Sequence, residues 1–446
     1  MIKKVAKIKY LTEIYANAKL IFAGFDELKC DFEKEYEKSL KKVLKTNNET
    51  ELFLELSKFI NKLNDGHTGL TIPKNLRNKH GLLPFKLLQI NNNFYIEQVS
   101  ENCNIPLLSK IIKINNKSIS YYVKLAKQHI HSTKGKFYKN NFESFLPFFL
   151  RKRNNKLETD NGIFKFDMEK TGNFKFNKIK NLQPNYQKNI IIKDEDFELS
   201  TIDEIVYLQI NTFNNSKIIE KICEKLEKFN KIRQIIIDLR KNEGGMTANA
   251  SKIAGYFFKE NFSAAQKFTR EIIGVDMASA SQYALMSKAK IDELVSSKIT
   301  TFENYINAKK HLDLQNYKIY NDNYKPNNKY FDSEIVILTS HNTISAAEDF
   351  CMMFSSNKRA TFIGETTYGS TGTPFMFKLY DDCKAKICSV KYKFLDGTDF
   401  VNKGVRVNIK ASNTLKDIKN GIDNVLNAAI EILKNWKNIE KNIKKP

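Results

Sequence analysis

The sequence around Ser345 could support nucleophilic chemistry. This serine follows the apolar run 334–339 and stands before Ala346, Ala347 and Glu348. A serine placed between a buried strand and a helix can expose its hydroxyl, and the free N–H groups of the first helical turn favour a developing oxyanion. The two alanines leave room for a substrate carbonyl. Serine is also a common helix N-cap, and both interpretations remain open at this point.

A second segment, Asp238-Leu239-Arg240-Lys241-Asn242-Glu243-Gly244-Gly245, also follows an apolar run. Consecutive glycines can adopt backbone conformations that other residues avoid, and so can direct an N–H group at a reacting carbonyl. An ordinary glycine turn is the alternative. We expect Asp238 and Arg240 to be structural and to tie the loop down by hydrogen bonds.

Two further loops could contribute to a site. His67 lies between Gly66 and Gly69, which suits a loop that approaches another group closely, although a surface or turn histidine fits the same pattern. The segment 363–374 contains three glycines and ends in a proline, so it could line a cleft or form an ordinary surface loop.

The elements that must position these residues follow from the hydrophobic periodicity. Helical spacing dominates residues 1–72, and short β segments divided by Asn-rich turns dominate 73–185. From 186 to 446, buried strands alternate with helices, and an amphipathic helix over 415–436 ends the chain. The sequence therefore predicts an α/β fold with a helical N-terminal domain, a small β-rich module and an α/β core with buried strands.

Composition restricts the possible partners. The net charge is +23, but the lysines are spread along the chain, so we expect a solvated basic surface and no nucleic acid, with a nucleic-acid footprint as the alternative. No apolar run approaches the roughly 20 residues that a membrane span requires. The basic N-terminus carries charges where a signal peptide has its apolar stretch, which predicts no secretion signal, no membrane association and a cytoplasmic protein.

The six cysteines form no CxxC pair, and neither a P-loop nor HExxH is present. We expect the cysteines to be reduced, and we predict no metal and no other cofactor. The sequence does not indicate an oligomeric state.

The order and context of these segments resemble the C-terminal-processing and tricorn-core group of serine peptidases, over nearly the whole chain. The strongest match is Asp238–Gly245, which resembles the D-x-R-x-N-x-G-G signature of that group. Weaker matches are the helical-domain exit motif at 65–68, the nucleophile at Ser345, the G-x-x-T-x-G motif at 364–369, Gly404-Val405 in the terminal G-V motif, and a PDZ-type turn at 111–117.

The resemblance implies a serine-type endopeptidase or C-terminal-processing peptidase that acts on a peptide or unfolded-protein substrate through an acyl-enzyme. Ser345 would be the nucleophile, and the N–H groups of Gly244 or Gly245 and of Ala346 would form the oxyanion hole. The PDZ-like module would capture extended peptide ends. Acidic peptides would be steered favourably by the basic surface.

The resemblance also selects the base. One branch of the group uses a lysine directly after G-x-x-T-x-G, where this chain has Ser370, so we expect the tricorn-like branch with His67 as general base. His341 is closer to Ser345 in sequence, but its place at a strand end favours a loop role. The tricorn-like branch orients its histidine with a glutamate, and Val401 occupies that position here.

Asp399 could substitute for this glutamate. Val407-Asn408 also replaces the Pro-Asp of the terminal motif. These departures leave open a catalytically weak or inactive peptide-binding protein with the same fold.

Overall fold

The computed structural model describes residues 2–133, 136–137, 141–170, 175–271, 281, 283, 286–297, 300–312 and 317–443. The chain forms two compact units. The first comprises 1–71, 266–320 and 372–392, and the second comprises 72–265, 321–371 and 393–446. This division differs from the predicted three consecutive domains, because two later segments join the N-terminal helices in one unit.

The first unit begins with the predicted helices. Asp31 and Asn48 cap the second and third helices, because their side chains accept the backbone N–H groups of Lys34 and Glu51. The strand Gly69–Leu70 pairs with a strand of a later segment, Cys383–Cys388, which explains why the N-terminal helices do not form a unit alone. The remaining elements of this unit are helices and short strands. The helices are Lys4–Ile21, Phe32–Lys45, Glu49–Ile60, Lys288–Ser296 and Phe302–Leu312, and the strands include Gln266–Arg270, Tyr317–Asn321, Pro374–Tyr380 and Val390–Lys393.

The β-rich part of the second unit contains sheets of three, four and two strands, and its apolar core includes Phe85, Ile96, Ile114 and Leu157. The helix Ile119–Ala126 packs its Tyr122 and Ala126 into the same core. A PDZ-like identity for this region stays a prediction. Its strands are Phe85–Ile90, Asn93–Ser100, Ile111–Ile114, Lys117–Ser118, Ser132–Thr133, Lys136–Phe137, Asn155–Thr159, Gly162–Phe166 and Phe176–Lys178, and its other helices are Lys74–His80 and Asn141–Phe145.

A seven-stranded sheet forms the centre of the second unit. Its first two pairings are antiparallel and the others are parallel, and helices accompany it, so the predicted α/β class is confirmed. In sheet order the strands are Asn189–Lys193, Phe197–Ile202, Ile205–Ile210, Gln234–Asp238, Glu334–Thr339, Thr361–Gly364 and Ile409–Lys410. The helices are Ser216–Leu226, Thr247–Ala254, Ala346–Ser356, Leu415–Asn420 and Asn424–Ile443.

The predicted helix over 415–436 is two helices. Gly421 has φ +71° and ends the first of them in a left-handed turn. The second helix begins at Asn424 and packs Leu426, Ala429, Ile430 and Leu433 against the sheet.

The sheet brings two of the predicted site segments to one edge. Strands Gln234–Asp238 and Glu334–Thr339 are parallel neighbours, with Asp238 opposite Leu338. Because the carboxyl ends of parallel strands meet at the same edge, the segments 239–245 and 340–345 leave the sheet side by side. Among the helices that the structure describes, none is long and apolar enough to cross a membrane.

Candidate active site

Ser345 lies in a backbone conformation that residues with a side chain rarely adopt, with φ +62° and ψ −131°. It is half-buried and directly precedes the helix Ala346–Ser356. It occupies the N-cap position of that helix, but its side chain makes no capping hydrogen bond to it. Backbone conformations of this kind cost free energy and cluster at active sites, which favours a chemical role for the hydroxyl.

The glycine loop packs directly against this serine. Gly244 and Gly245 have φ +92° and +137°, and a Cβ added to Gly244 would lie 2.5 Å from the Cβ of Ser345. Asn242, fully buried, holds the loop: its Oδ1 accepts the Gly244 N–H at 2.8 Å and its Nδ2 donates to the carbonyl of Ile210 at 3.1 Å. The loop therefore has one fixed arrangement beside Ser345.

Two backbone N–H groups at this position have no acceptor among the described residues, those of Gly245 and Ala346. The Ala346 N–H opens a helix whose positive dipole end favours negative charge. The N–H of Gly244 is occupied by Asn242, so Gly245 is the better donor of the two glycines. An oxyanion hole formed by Gly245 and Ala346 stays a prediction.

Asp238 and Arg240 have the structural arrangement predicted for them. The Arg240 guanidinium donates to the carboxylates of Asp238 and Asp423, with N–O distances of 2.7 to 2.9 Å. Tyr207 donates its hydroxyl to Asp238 at 2.8 Å, and Ser340 donates to the carbonyl of Arg240 at 2.6 Å. This network anchors both loops at the carboxyl edge of the sheet.

The loop after the strand Thr361–Gly364 also contacts the serine. The backbone N–H of Ser345 donates to the carbonyl of Ser370 at 3.0 Å. Glu348, in the first turn of the helix, accepts the N–H groups of Gly369 and Ser370 at 2.7 and 2.9 Å. Burial raises the pKa of Glu348 to about 8, against the lowering effect of Thr367 and of these two N–H groups. Glu348 was not predicted as a site residue, although its place in the first turn of a predicted helix is visible in the sequence.

A buried histidine was also missed. His131 contacts the hydroxyl of Tyr368 through Nδ1 at 2.9 Å and the Oδ1 of Asn402 through Nε2 at 2.8 Å. Burial lowers its pKa to about 4, although the bond to Asn402 raises it. With both ring nitrogens engaged and 6% of the residue exposed, His131 holds its loops together and is not placed to accept a substrate proton.

His67 lies in the first unit, half-buried, in a turn that its neighbours define. Asp65 Oδ1 accepts the backbone N–H of His67 and the hydroxyl of Thr68, both at 2.9 Å. Thr68 Oγ1 in turn accepts the N–H of Cys388 at 3.0 Å. Burial raises the pKa of the Asp65 carboxyl to about 6. The backbone that presents His67 is thus fixed within its own unit.

Asp399, the predicted orienting group, lies at the surface of the second unit, with 51% of its side chain exposed. Its carboxylate pairs with Lys393 at 3.2 Å and with Lys403 at 2.9 Å, and hydrogen bonds to Lys403 and Lys393 lower its pKa. Two cations therefore already engage this carboxylate. A role for Asp399 beside His67 stays a prediction.

A cavity of about 340 Å³ lies beside the loop that contacts Ser345, and is lined by Tyr368, Glu365 and Lys410 among others. Lys136 pairs with Glu365 at 2.6 Å, and His341 lies 3.8 Å from the same carboxylate. Although burial raises the pKa of Glu365, the hydrogen bond from His341 and the charge of Lys136 lower it to about 2. His341 also contacts the carbonyl of Phe137 at 3.2 Å, as expected for a loop residue. In the described part of the chain, no group of three or more His, Cys, Asp or Glu residues could hold a metal ion.

Comparison with known proteins agrees with this geometry. Residues 204–411 match the sequence profile of peptidase family S41. The crystal structure of mature CPAF has a TM-score of 0.70 at 13% identity, with 99% of each chain covered. The complex of mature CPAF with lactacystin gives 0.67 at 13% identity, with 97% of this chain and 99% of that one covered. A putative peptidase from Parabacteroides merdae gives 0.51 at 14% identity, with 96% of each chain covered.

At these identities the solved structures show a shared fold, and no curated protein sequence matches the chain. The family match over residues 204–411, which include the strained serine and the glycine loop beside it, identifies a serine-type peptidase. The match over residues 204–411 supports the resemblance to this group of serine peptidases that the sequence shows.

Proposed function

We propose that the protein hydrolyses peptide bonds through an acyl-enzyme, with Ser345 as nucleophile and His67 as general base. The observation that carries the proposal is the conformation of Ser345, which has a positive φ and lies beside two N–H groups with no acceptor among the described residues. A strained serine at a strand-to-helix turn is the arrangement that activated nucleophiles use.

In the first step, Ser345 Oγ forms a bond to the carbonyl carbon of the substrate while His67 accepts the hydroxyl proton. The N–H groups of Gly245 and Ala346 stabilise the oxyanion that forms on the carbonyl oxygen. The intermediate then expels the amine, which takes the proton from His67 and leaves an ester on Ser345. Water hydrolyses this ester in the reverse sense and restores the serine.

Three observations support His67. It occupies the histidine position of the family motif, its backbone is fixed by Asp65, and Ser370 stands where the other branch has a lysine. An imidazole side chain can accept the serine proton and later donate it to the leaving amine. His131 is excluded as a base by its buried, doubly bonded ring.

We further propose that the cavity beside Tyr368 receives a side chain of a peptide or unfolded-protein substrate. Its lining combines apolar surface with Lys410, for which no acidic partner is found among the described residues. A pocket of this kind suits a side chain with an apolar stem and an anionic end.

Labelling with a fluorophosphonate probe tests the nucleophile. Wild type should be labelled and Ser345→Ala should not, because the probe reacts with an activated serine hydroxyl. Lactacystin, which is bound in one structure of CPAF, is a second probe that should compete with the first. Equal labelling of wild type and Ser345→Ala would contradict the assignment of Ser345.

The base is tested by His67→Ala, with His80→Ala as the matched control, because His80 ends the helix Lys74–His80 and does not line the cavity beside Tyr368. His67→Ala should lower peptidase activity by about 100-fold or more, the usual contribution of a general base, while His80→Ala retains most of it. Circular dichroism should show that both variants are folded. Full activity in His67→Ala would point to another base, and peptide binding without turnover in wild type would favour a non-catalytic binder.

A further inference from the structure

A fully buried carboxyl group lies one helical turn beyond the nucleophile. Glu348 has 0% exposure and accepts two backbone N–H groups, those of Gly369 and Ser370. Burying a carboxyl group is costly unless its oxygens are hydrogen-bonded, and here both oxygens are used on a single loop. No step of the proposed reaction uses this carboxyl group.

The contacts around Glu348 close a ring through the nucleophile. The carbonyl of Ser370 accepts the N–H of Ser345 at 3.0 Å, and the carbonyl of Ser345 accepts the N–H of Glu348 at 2.7 Å. The Glu348 carboxyl therefore fixes the peptide that holds the backbone of the serine. A residue at φ +62° persists only where its surroundings impose that conformation, and this ring is one such constraint.

We propose that Glu348 is a positioning residue for the nucleophile, which it holds in its reactive conformation through the N–H groups of Gly369 and Ser370. This inference rests on the proposed function of Ser345. It assigns to Glu348 no contact with substrate and no proton transfer to it.

The requirement is for a group with two acceptor oxygens. A glutamine offers one acceptor oxygen and an NH₂ donor, so one of the two loop N–H groups would face another donor. A buried donor without an acceptor costs about 1–3 kcal/mol, and moving the loop away is the way to relieve it. Glu348→Gln is thus nearly isosteric but should release Ser370, and with it the backbone of Ser345.

The charge state of this carboxyl should be visible in the kinetics. Because the pKa of Glu348 is raised to about 8, it ionises at alkaline pH. Asp349 on the same helix contributes to this rise, and Glu348 and Asp349 in turn raise the pKa of the buried Cys351 thiol, which burial already raises. The groups of the segment 367–371 that face the carboxyl are the hydroxyl of Thr367 and the N–H groups of Gly369 and Ser370. A carboxylate accepts N–H groups more strongly than a neutral acid does, so the reactivity of Ser345 should rise further near pH 8.

The experiment measures the rate of fluorophosphonate labelling, and kcat and KM for a peptide substrate, between pH 6 and 10. Glu348→Gln should lower the labelling rate and kcat by about 10- to 100-fold, the effect of a small displacement of a reacting group, and leave KM unchanged. In Glu348→Gln, the rise of the labelling rate near pH 8 should disappear. Glu198→Gln is the matched control, since Glu198 is also a buried glutamate but pairs with Lys188 and Lys193 in a strand of the sheet.

A folded Glu348→Gln variant with wild-type rate and pH profile would overturn the positioning role, as would a raised KM with unchanged kcat. If Glu348→Gln does not fold, Thr367→Val replaces it, because the Thr367 hydroxyl lowers the pKa of Glu348 and its loss should move this rise to higher pH. A rise that stays in place in Thr367→Val would then overturn the proposal. A wild type that no probe labels at any pH would instead contradict the proposed function, and the positioning role with it.

Discussion

The Cα of Gly244 lies against the side chain of Ser345, so closely that a Cβ on the glycine would come within 2.5 Å of the serine Cβ. Real side-chain carbons do not approach to that distance, so this glycine is required by the serine that it faces. The contact joins the loops that follow two neighbouring parallel strands, Gln234–Asp238 and Glu334–Thr339. The carboxyl edge of the sheet thereby becomes one rigid site.

The first prediction concerns this contact. Gly244→Ala should lower peptidase activity by about 100-fold, because the added methyl group must displace Ser345 or the loop. Gly421→Ala is the control, since Gly421 has a similarly positive φ of +71° but no atom within 4 Å of an added Cβ. Both variants should lose about 1–2 kcal/mol of stability from the strained φ, and only the first should lose activity in a peptide-hydrolysis assay. Equal activity in the two variants would contradict the steric argument.

The second prediction concerns the anchor of both loops. Arg240→Met should lower the free energy of unfolding by about 3–5 kcal/mol, because it leaves the buried carboxylates of Asp238 and Asp423 without their cation. Lys290→Met removes one side of a surface ion pair with Glu293 and should cost about 0–1 kcal/mol. Urea unfolding followed by circular dichroism measures both. A loss below about 1 kcal/mol in Arg240→Met would show that the two carboxylates find other partners.

The sequence predicted the elements of the sheet better than the contacts between loops. The apolar run 334–339 before Ser345 is a strand at those bounds, because parallel strands buried on both faces are continuous apolar runs. The glycine loop and Ser345 were predicted as well, since their residue types are distinctive and both follow such strands.

The roles of the site residues that were not predicted depend on their burial, which cannot be read from a single sequence. Glu348 and His131 have ordinary residue types, and their importance comes from partners 21 and 237 positions away along the chain. The division into two units depends in the same way on distant contacts, such as the pairing of Gly69 with Lys386. Asp399 was chosen by its nearness in sequence to Gly404, and its observed partners are lysines.

The third prediction is a pH dependence of stability that belongs to Glu348. The pKa of Glu348 is about 8 in the folded protein, and its ordinary value, expected in the unfolded chain, is 4.5. Between these two pH values the folded state therefore binds one more proton than the unfolded state. Raising the pH across this window therefore favours unfolding, by up to about 1.4 kcal/mol per pH unit for one proton. Glu348→Gln should remove this part of the slope. Urea unfolding at pH 5 to 9 gives the comparison, and parallel curves for the two proteins would contradict the raised pKa.

The fourth prediction concerns the cavity beside Tyr368. Lys410→Glu should lower kcat/KM for peptides with a glutamate in the bound position, relative to the same peptides with glutamine, by about 5-fold, which corresponds to a partly exposed ion pair of about 1 kcal/mol. Lys416→Glu makes the same change of net charge on an exposed helix and leaves long-range attraction of acidic peptides equal in the two variants. A difference between them must then come from the cavity. If both variants lower the ratio equally, the preference reflects the basic surface as a whole, and the cavity does not select the side chain.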